Sequence, residues 1–232
     1  MMKMMTDTHD FPRRQAKYAP VSAALRAVFG YPEWRRSLPP IDELVDCILS
    51  QSTNDRNRDR AFDGLKAVFP TWEAVMNAPT EQVIAAIKPA GLANQKAPRI
   101  QNVLRRIDAE RGALNIDFLA DMPLDEAKAW LMALDGVGPK TAAIVLCFAF
   151  ARPAFPVDTH VHRVGMRIGF LPQGISADKA HPVMEQIVPP EDHYAFHLNL
   201  IRLGREICQA RRPRCEACPL TEYCDYFQAA RP

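Results

Sequence analysis

The chain contains no apolar stretch of the roughly 18 residues that a membrane-crossing helix needs. Its opening, MMKMMTDTHDFPRRQAKY, has no apolar targeting core and no small-residue cleavage site. We read it as untargeted and without a membrane partner, and expect a cytoplasmic, nucleoid-associated protein. An excess of one charge is missing too: 29 Lys and Arg stand against 27 Asp and Glu, for a net charge of +2. A global basic surplus therefore does not announce nucleic acid, and any such role rests on where the cations sit. Alternating apolar–polar runs are nearly absent, which argues against strands. The GxxxxGK[ST] spacing of a nucleotide-binding loop is missing. The glycine pair at 136 and 138 follows a helical segment rather than a strand, so it is not a dinucleotide fingerprint either. No nucleotide cofactor is expected. Repeats and low-complexity segments are also lacking.

What is present is a succession of short helical patterns. With 232 residues and 48% hydrophobic content, the chain can bury one large core or two modest ones. Residues 1–18 read as a flexible leader. Over 19–30, Val21, Leu25 and Val28 share a helical face. PEWRRSLPP breaks the pattern, and Pro39 and Pro40 lead into the helix IDELVDCILS. Ser52, Thr53, Asn54 and Asp55 are capping residues for a helix to Phe69, with Ala61, Leu65 and Val68 on its apolar face. Pro70 ends it. Short helices follow at TWEAVMNA and TEQVIAAI, the second capped by Thr80. GLANQK interrupts at 91–96, and APRIQNVLRRIDAER then closes at Gly112. LDEAKAWLMAL and TAAIVLCFAFA flank a GVGPK turn. VDTHVHRVGMRIGF begins with Asp158 or Thr159 as its cap, and helical segments cover 177–187 and 191–208. The fold class is all-α.

Six cysteines divide into two groups. Cys47 and Cys147 lie in apolar runs and read as core filler. Cys208, Cys215, Cys218 and Cys224 form C-x6-C-x2-C-x5-C. In an untargeted chain this is a metal motif rather than a disulfide one. Thiolates suit zinc or iron–sulfur. Structural zinc uses paired C-x2–4-C knuckles, and only one close pair exists here, so the spacing favours a [4Fe–4S] cubane. Arg211, Arg212 and Arg214 within the first loop read equally as a solvated face or as phosphate contacts.

In LDGVGPKTAA, Gly136 and Gly138 permit a tight turn before a helix that starts near Pro139 or Lys140. The bland reading is an interhelical turn. The sharper one is a site where uncovered N–H groups meet a phosphate oxygen. Lys140 sits on the helix's first turn, where the dipole disfavours a cation. It is either a solvated lysine or a nucleophilic amine. Asp158 reads as an N-cap, a role compatible with facing a ligand. His160 and His162 have no assigned role, and His181, His193 and His197 read as structural. Lys96, Arg99, Arg163 and Arg205 are candidates for phosphate grip, each also readable as an ordinary surface or ion-pair residue.

LDGVGPKTAAIVL, PVDTHVHRV, HLNLIRLGREIC with its cysteine quartet, ILSQSTNDRN and GLANQKA together resemble the endonuclease III family of helix-hairpin-helix DNA glycosylases. The resemblance runs over roughly residues 20–225. It implies a six-helix barrel over 41–151 and a discontinuous iron–sulfur domain from 19–40 and 152–226, with a DNA cleft between them. It further implies Lys140 as nucleophile and Asp158 as the essential carboxylate. Gly136, Val137, Gly138 and Thr141 would hold the backbone of the lesion strand. Gln51 would fill the space left by a flipped nucleotide, and Leu92 would wedge beside the estranged base. The implied partner is damaged double-stranded DNA, bound by a monomer. The implied reaction is excision of an oxidised pyrimidine such as thymine glycol, through a lysine imine and β-elimination. Two departures stand out: Pro139 replaces a residue that is commonly basic, and STNDRNRDR differs after ILSQ. A monofunctional mismatch or adenine glycosylase is the first alternative. Lys140 argues against it, as does the end of the chain eight residues after Cys224. A non-enzymatic DNA-binding protein is the second, and it would not require Lys140 and Asp158 together.

Overall fold

The computed structural model describes residues 10–230, which form helices, turns and loops with no strand among them. The chain divides into a discontinuous unit, Met1–Arg35 with Pro153–Pro232, and a continuous unit, Arg36–Arg152. Helices α1 (Phe11–Ala16) and α2 (Tyr18–Phe29) open the first. The expectation of a loose leader is thereby corrected for residues 10–18, while 1–9 lie outside the described residues. The reason is electrostatic. Lys17 Nζ donates to Ile168 O (2.7 Å), Tyr223 O (3.0 Å) and Asp225 Oδ1 (2.5 Å), and Arg13 donates to the same carboxylate. In α2, Val21 and Leu25 are fully buried, but Val28 is 53% exposed. It sits in the last turn, just before Gly30 takes a φ of 79° and ends the helix.

The continuous unit begins with α3 (Pro40–Ser50), with Pro40 in its first turn and Asp42 and Glu43 at its positive end. α4 (Asp55–Val68) is capped by Asn54, which accepts from Asn57 N at 2.9 Å. Ala61 and Leu65 point inward, whereas Val68 is exposed and Phe69 takes its expected place in the core. α5 (Trp72–Asn77) and α6 (Thr80–Ile87) follow. Thr80 is the first helical residue rather than the cap, because its hydroxyl donates to Gln101 Oε1 at 2.8 Å. α7 (Ala93–Arg111) starts four residues before the expected Ala97. Leu92, in the left-handed region at φ 50°, turns the chain so that most of GLANQK becomes helix. Gly112, at φ 69°, closes α7 as the sequence suggests.

α8 (Leu124–Met132) precedes the GVGPK turn, and α9 (Pro139–Ile144) follows it. α9 does not continue as the regular helix expected through TAAIVLCFAFA. Val145–Ala149 widens into a π turn, a form often found near functional sites. Nothing in the local sequence marks the switch.

The discontinuous unit resumes with α10 (Thr159–Ile168), α11 (Ala177–Ile187), α12 (His193–Glu206) and α13 (Asp225–Ala229). Its core joins Val21 and Leu25 to Phe155, Val161, Phe196 and Leu200. Each such side chain contributes roughly 1.5–3 kcal/mol. His181, His193 and His197 are buried, and their rings bond the carbonyls of Phe155, Val188 and Pro156 at 2.9–3.0 Å. They fill structural roles, as the sequence reading has it.

Candidate active site and cysteine segment

The GVGPK turn is anchored by two buried residues, Leu134 just before it and Val137 within it. Gly136 has a φ of +70°, and a Cβ there would lie 2.1 Å from Arg99 Nε. The chain's own fold therefore demands this glycine. Gly138 is extended, at φ −98° and ψ −177°, which any residue adopts. A Cβ on it would meet nothing within 4 Å. Of the two glycines that permit the turn, the fold needs one, and the other leaves open surface beside the start of α9. Pro139 occupies a first-turn position that its missing N–H suits. Val137 and Thr141 are 5% and 6% exposed. Their side chains pack inward, so only their backbone is offered outward.

Lys140 is exposed. Among the described residues of its own unit it makes no hydrogen bond or ion pair. Its charge reaches the buried thiol of Cys47, where it favours the thiolate. Burial outweighs it, assisted by Glu43 and Asp46, and holds that thiol well above its ordinary range. Cys147 is pushed up to about 12, first by burial and then by Glu43. Both cysteines are protonated core residues, as expected.

Two carboxylates on α3 share this interior. Burial raises Glu43 to about 7, opposed by the hydrogen bond from Ser37 Oγ (3.0 Å to Oε2) and by Arg58. Burial likewise raises Asp46 to about 6, against the pull of Arg58, whose Nε lies 3.4 Å from Oδ1. Burial wins at both sites because the nearest cation is not in hydrogen-bonding contact with either.

Gln51 closes α3. Its Nε2 donates to Gly136 O at 2.9 Å, and its Oε1 accepts from Arg99 Nη1 at 3.0 Å. Both ends of the amide are engaged within the unit. Leu92 is 50% exposed, a free apolar side chain on a left-handed residue. Lys96 is 1% exposed, and its Nζ donates to Leu49 O (2.7 Å) and Ala90 O (2.9 Å). Phosphate grip by Lys96 is thus corrected: the ammonium ties the end of α3 to the segment before α7.

In the discontinuous unit Asp158 Oδ1 accepts from Val161 N at 2.7 Å, the cap that its position predicts. Its other oxygen remains outside that bond. Arg163 does not project as a phosphate ligand. It donates to Cys208 O (3.1 Å) and Gly204 O (2.8 Å). Arg167, one turn on, donates to Cys208 Sγ (3.3 Å) and to Gln209 O and Ala210 O. Arg214 folds back on Glu206 O. The i, i+4 pair Arg163 and Arg167 was the sequence signal for this clamp. Arg99 and Lys17 carried no comparable signal, since each works across a long sequence separation.

Cys208, Cys215, Cys218 and Cys224 line one cavity with Ile207, Pro213 and Arg167. Burial shifts the thiols of Cys215, Cys218 and Cys224 upward; backbone N–H groups oppose it at Cys218 and Cys224, and the neighbouring sulfurs add to it at all three. No group of three or more His, Cys, Asp or Glu among the described residues is arranged to hold a single metal ion. Four soft donors around one cavity fit an iron–sulfur group.

Comparison with known proteins agrees with this geometry. Residues 45–190 match the HhH-GPD superfamily of base excision DNA repair proteins, and residues 208–224 match the iron–sulfur binding domain of endonuclease III. The latter is a [4Fe–4S] segment. The chain is 31% identical over 198 residues to endonuclease III of Thermotoga maritima, covering 85% of this chain and 88% of that one. Against endonuclease III of Rickettsia conorii it is 38% identical over 184 residues, covering 79% and 83%. It also matches an Arabidopsis thaliana protein at 36% identity and spans 66% of that protein's length. A solved endonuclease III–DNA covalent intermediate, the estranged-adenine complex, superposes with a TM-score of 0.77 at 29% identity, covering 94% of this chain and 97% of that one. The superfamily match runs through both units and the second match ends on the last cysteine, so the chain belongs to the endonuclease III family of helix-hairpin-helix base excision DNA repair proteins.

Proposed function

We propose that this protein is a bifunctional DNA glycosylase and AP lyase that removes oxidised pyrimidines such as thymine glycol from duplex DNA, acting as a monomer. The carrying observation is Lys140. It is an exposed amine on the first helical turn after the hairpin, with no partner in its own unit to hold it. A structural lysine in this fold is treated differently, as buried Lys96 with its two carbonyl acceptors demonstrates.

The chemistry follows from the amine. The damaged nucleotide leaves the stack. The Lys140 amine, in its neutral form, attacks C1′ as the C1′–N bond to the base breaks, and the base departs with the proton that the amine sheds. The sugar ring then opens: the C1′–O4′ bond breaks, O4′ takes a proton, and the nitrogen lone pair completes a C1′=N iminium, which acidifies C2′. Loss of a C2′ proton breaks the C3′–O bond and cuts the strand 3′ to the site. Water then hydrolyses the imine and frees the lysine. Asp158, with one oxygen on the α10 cap, stabilises the positive charge that develops at the sugar through the other.

The backbone of Gly136 to Gly138 receives the lesion-strand phosphates, for which Gly138 leaves the surface open. Leu92 supplies the wedge. Cys208, Cys215, Cys218 and Cys224 would hold the cluster, which supplies a rigid staple for the C-terminal segment and enters no step. Strand scission of a thymine glycol duplex, with an intact duplex as control, tests the reading. Base loss without scission would point to a monofunctional enzyme, and binding without either to a DNA-binding protein.

A further inference from the structure

We infer that Gln51 and Arg99 are positioning residues that brace the hairpin turn through Gly136 in the DNA-free chain. The catalytic consequence rests on the function proposed above, but the brace itself does not.

Three distant segments meet here: the end of α3, the middle of α7, and the turn at 135–138. Arg99 Nη1 donates to Gln51 Oε1 at 3.0 Å, and Gln51 Nε2 donates to Gly136 O at 2.9 Å. The cation polarises the amide and orients it, so that its N–H2 faces the turn's carbonyl. Hydrogen bonds with a charged member are the stronger kind. The guanidinium side chain also underlies Gly136 so closely that a Cβ would fall 2.1–2.5 Å from its Nε, Cδ and Cζ. Asp135 Oδ1 stands 3.9 Å from Arg99 Nε and adds an ion pair on the flank. The turn is thus held by its carbonyl, by packing under its glycine, and by charge.

The arrangement carries local strain. Ser52, immediately after Gln51, has a φ of 54° without being glycine. Arg99 Nε is buried and has no hydrogen-bond acceptor among the described residues. Such features persist where the surrounding structure over-determines them, and they cluster at functional sites. Here they flank Gly136, which lies four residues before Lys140. Because α9 starts directly from this turn, moving Gly136 moves the lysine.

The test is hydrogen exchange on the full, cluster-loaded chain, comparing the 134–141 segment with α8, for Gln51→Ala, Arg99→Ala and the double variant. Each single variant should speed exchange in 134–141 about fivefold, the equivalent of one lost hydrogen bond. The double variant should do no more than the worse single, because the two act as one unit. α8 should keep its protection. Gln51→Glu preserves the acceptor for Arg99 but cannot donate to Gly136 O, so it should match Gln51→Ala in the turn without lowering the unfolding temperature. Unchanged exchange in the turn, additive losses, or loosening spread evenly over the unit would overturn the brace. The exchange measurement needs no DNA. A wild-type chain inert on damaged duplex would therefore sink the proposed function while leaving the brace to be judged on its own result.

Discussion

Lys17 Nζ and Asp225 Oδ1 are 208 positions apart in sequence and 2.5 Å apart in space. Asp225 directly follows Cys224, so the start of the described chain grips the end of the cysteine segment. Gly169 makes room for this contact, since a Cβ there would fall 1.9 Å from Asp225 Oδ2. The same ammonium also caps the last turn of α10 through Ile168 O.

Replacing Lys17 with Met should therefore loosen the cluster segment. Asp225 is 38% exposed, so solvent discounts the ion pair, and most of the loss comes from the two stranded carbonyls. We expect about 1–3 kcal/mol of lost stability. Iron content after dialysis against a chelator should fall well below that of the native chain. Equal iron retention in both proteins would refute the link.

Glu43 gives the protein a defined pH response. Its folded-state value is about 7, against an ordinary 4.5, so the native state holds the proton more tightly than the unfolded chain. The stabilisation is complete below about pH 4.5 and is lost as pH rises through 7. The loss amounts to about 3 kcal/mol. Asp46, raised to about 6, acts in the same direction. Glu43→Gln should raise the denaturation midpoint at pH 8 and leave it nearly unchanged at pH 4.5. A variant less stable than native at pH 8 contradicts this.

The two glycines of the hairpin should separate fold from function. Gly136→Ala meets both a positive φ and the Arg99 side chain, and should destabilise the protein by about 2 kcal/mol or more. Gly138→Ala meets neither obstacle and should change stability by less than about 0.5 kcal/mol. It should nevertheless weaken binding to lesion duplex, because its methyl group covers the surface offered to phosphate. Undiminished binding by Gly138→Ala would remove that residue from the interface.

Lys96 offers the converse case. Lys96→Met keeps the volume but strands two buried carbonyls, so the melting temperature should drop by an amount equivalent to about 2–4 kcal/mol. The slope of binding against salt should stay the same, whereas a phosphate ligand would lower it by about one. A changed slope in a fully folded variant would return Lys96 to the DNA surface.

Where a feature depends on neighbouring residues, the sequence was readable. Asn54 and Asp158 cap the helices their positions predict, and Gly112 ends α7. The all-helical class and the cysteine segment were legible for the same reason: periodicity and spacing are local. Features that depend on distant partners were not. Thr80 reads as a cap until Gln101 takes its hydroxyl. Lys96 reads as a surface cation until Leu49 and Ala90 enclose it. Val28 and Val68 fit their helical faces by periodicity, yet each lies in the last turn of its helix and stays exposed. The Gln51–Arg99–Gly136 contact joins residues 48 and 85 positions apart and has no local signature.

The central claim is that Lys140 is a nucleophilic amine. Borohydride trapping on a duplex bearing one thymine glycol tests it most directly, with Lys140→Ala alongside. Lys140 is exposed and unpaired within its unit, so the variant should fold and keep its cluster. The account predicts a reduced enzyme–DNA crosslink for the native chain and none for Lys140→Ala. Base release by the native chain without any crosslink, or a crosslink that survives in the variant, would contradict it.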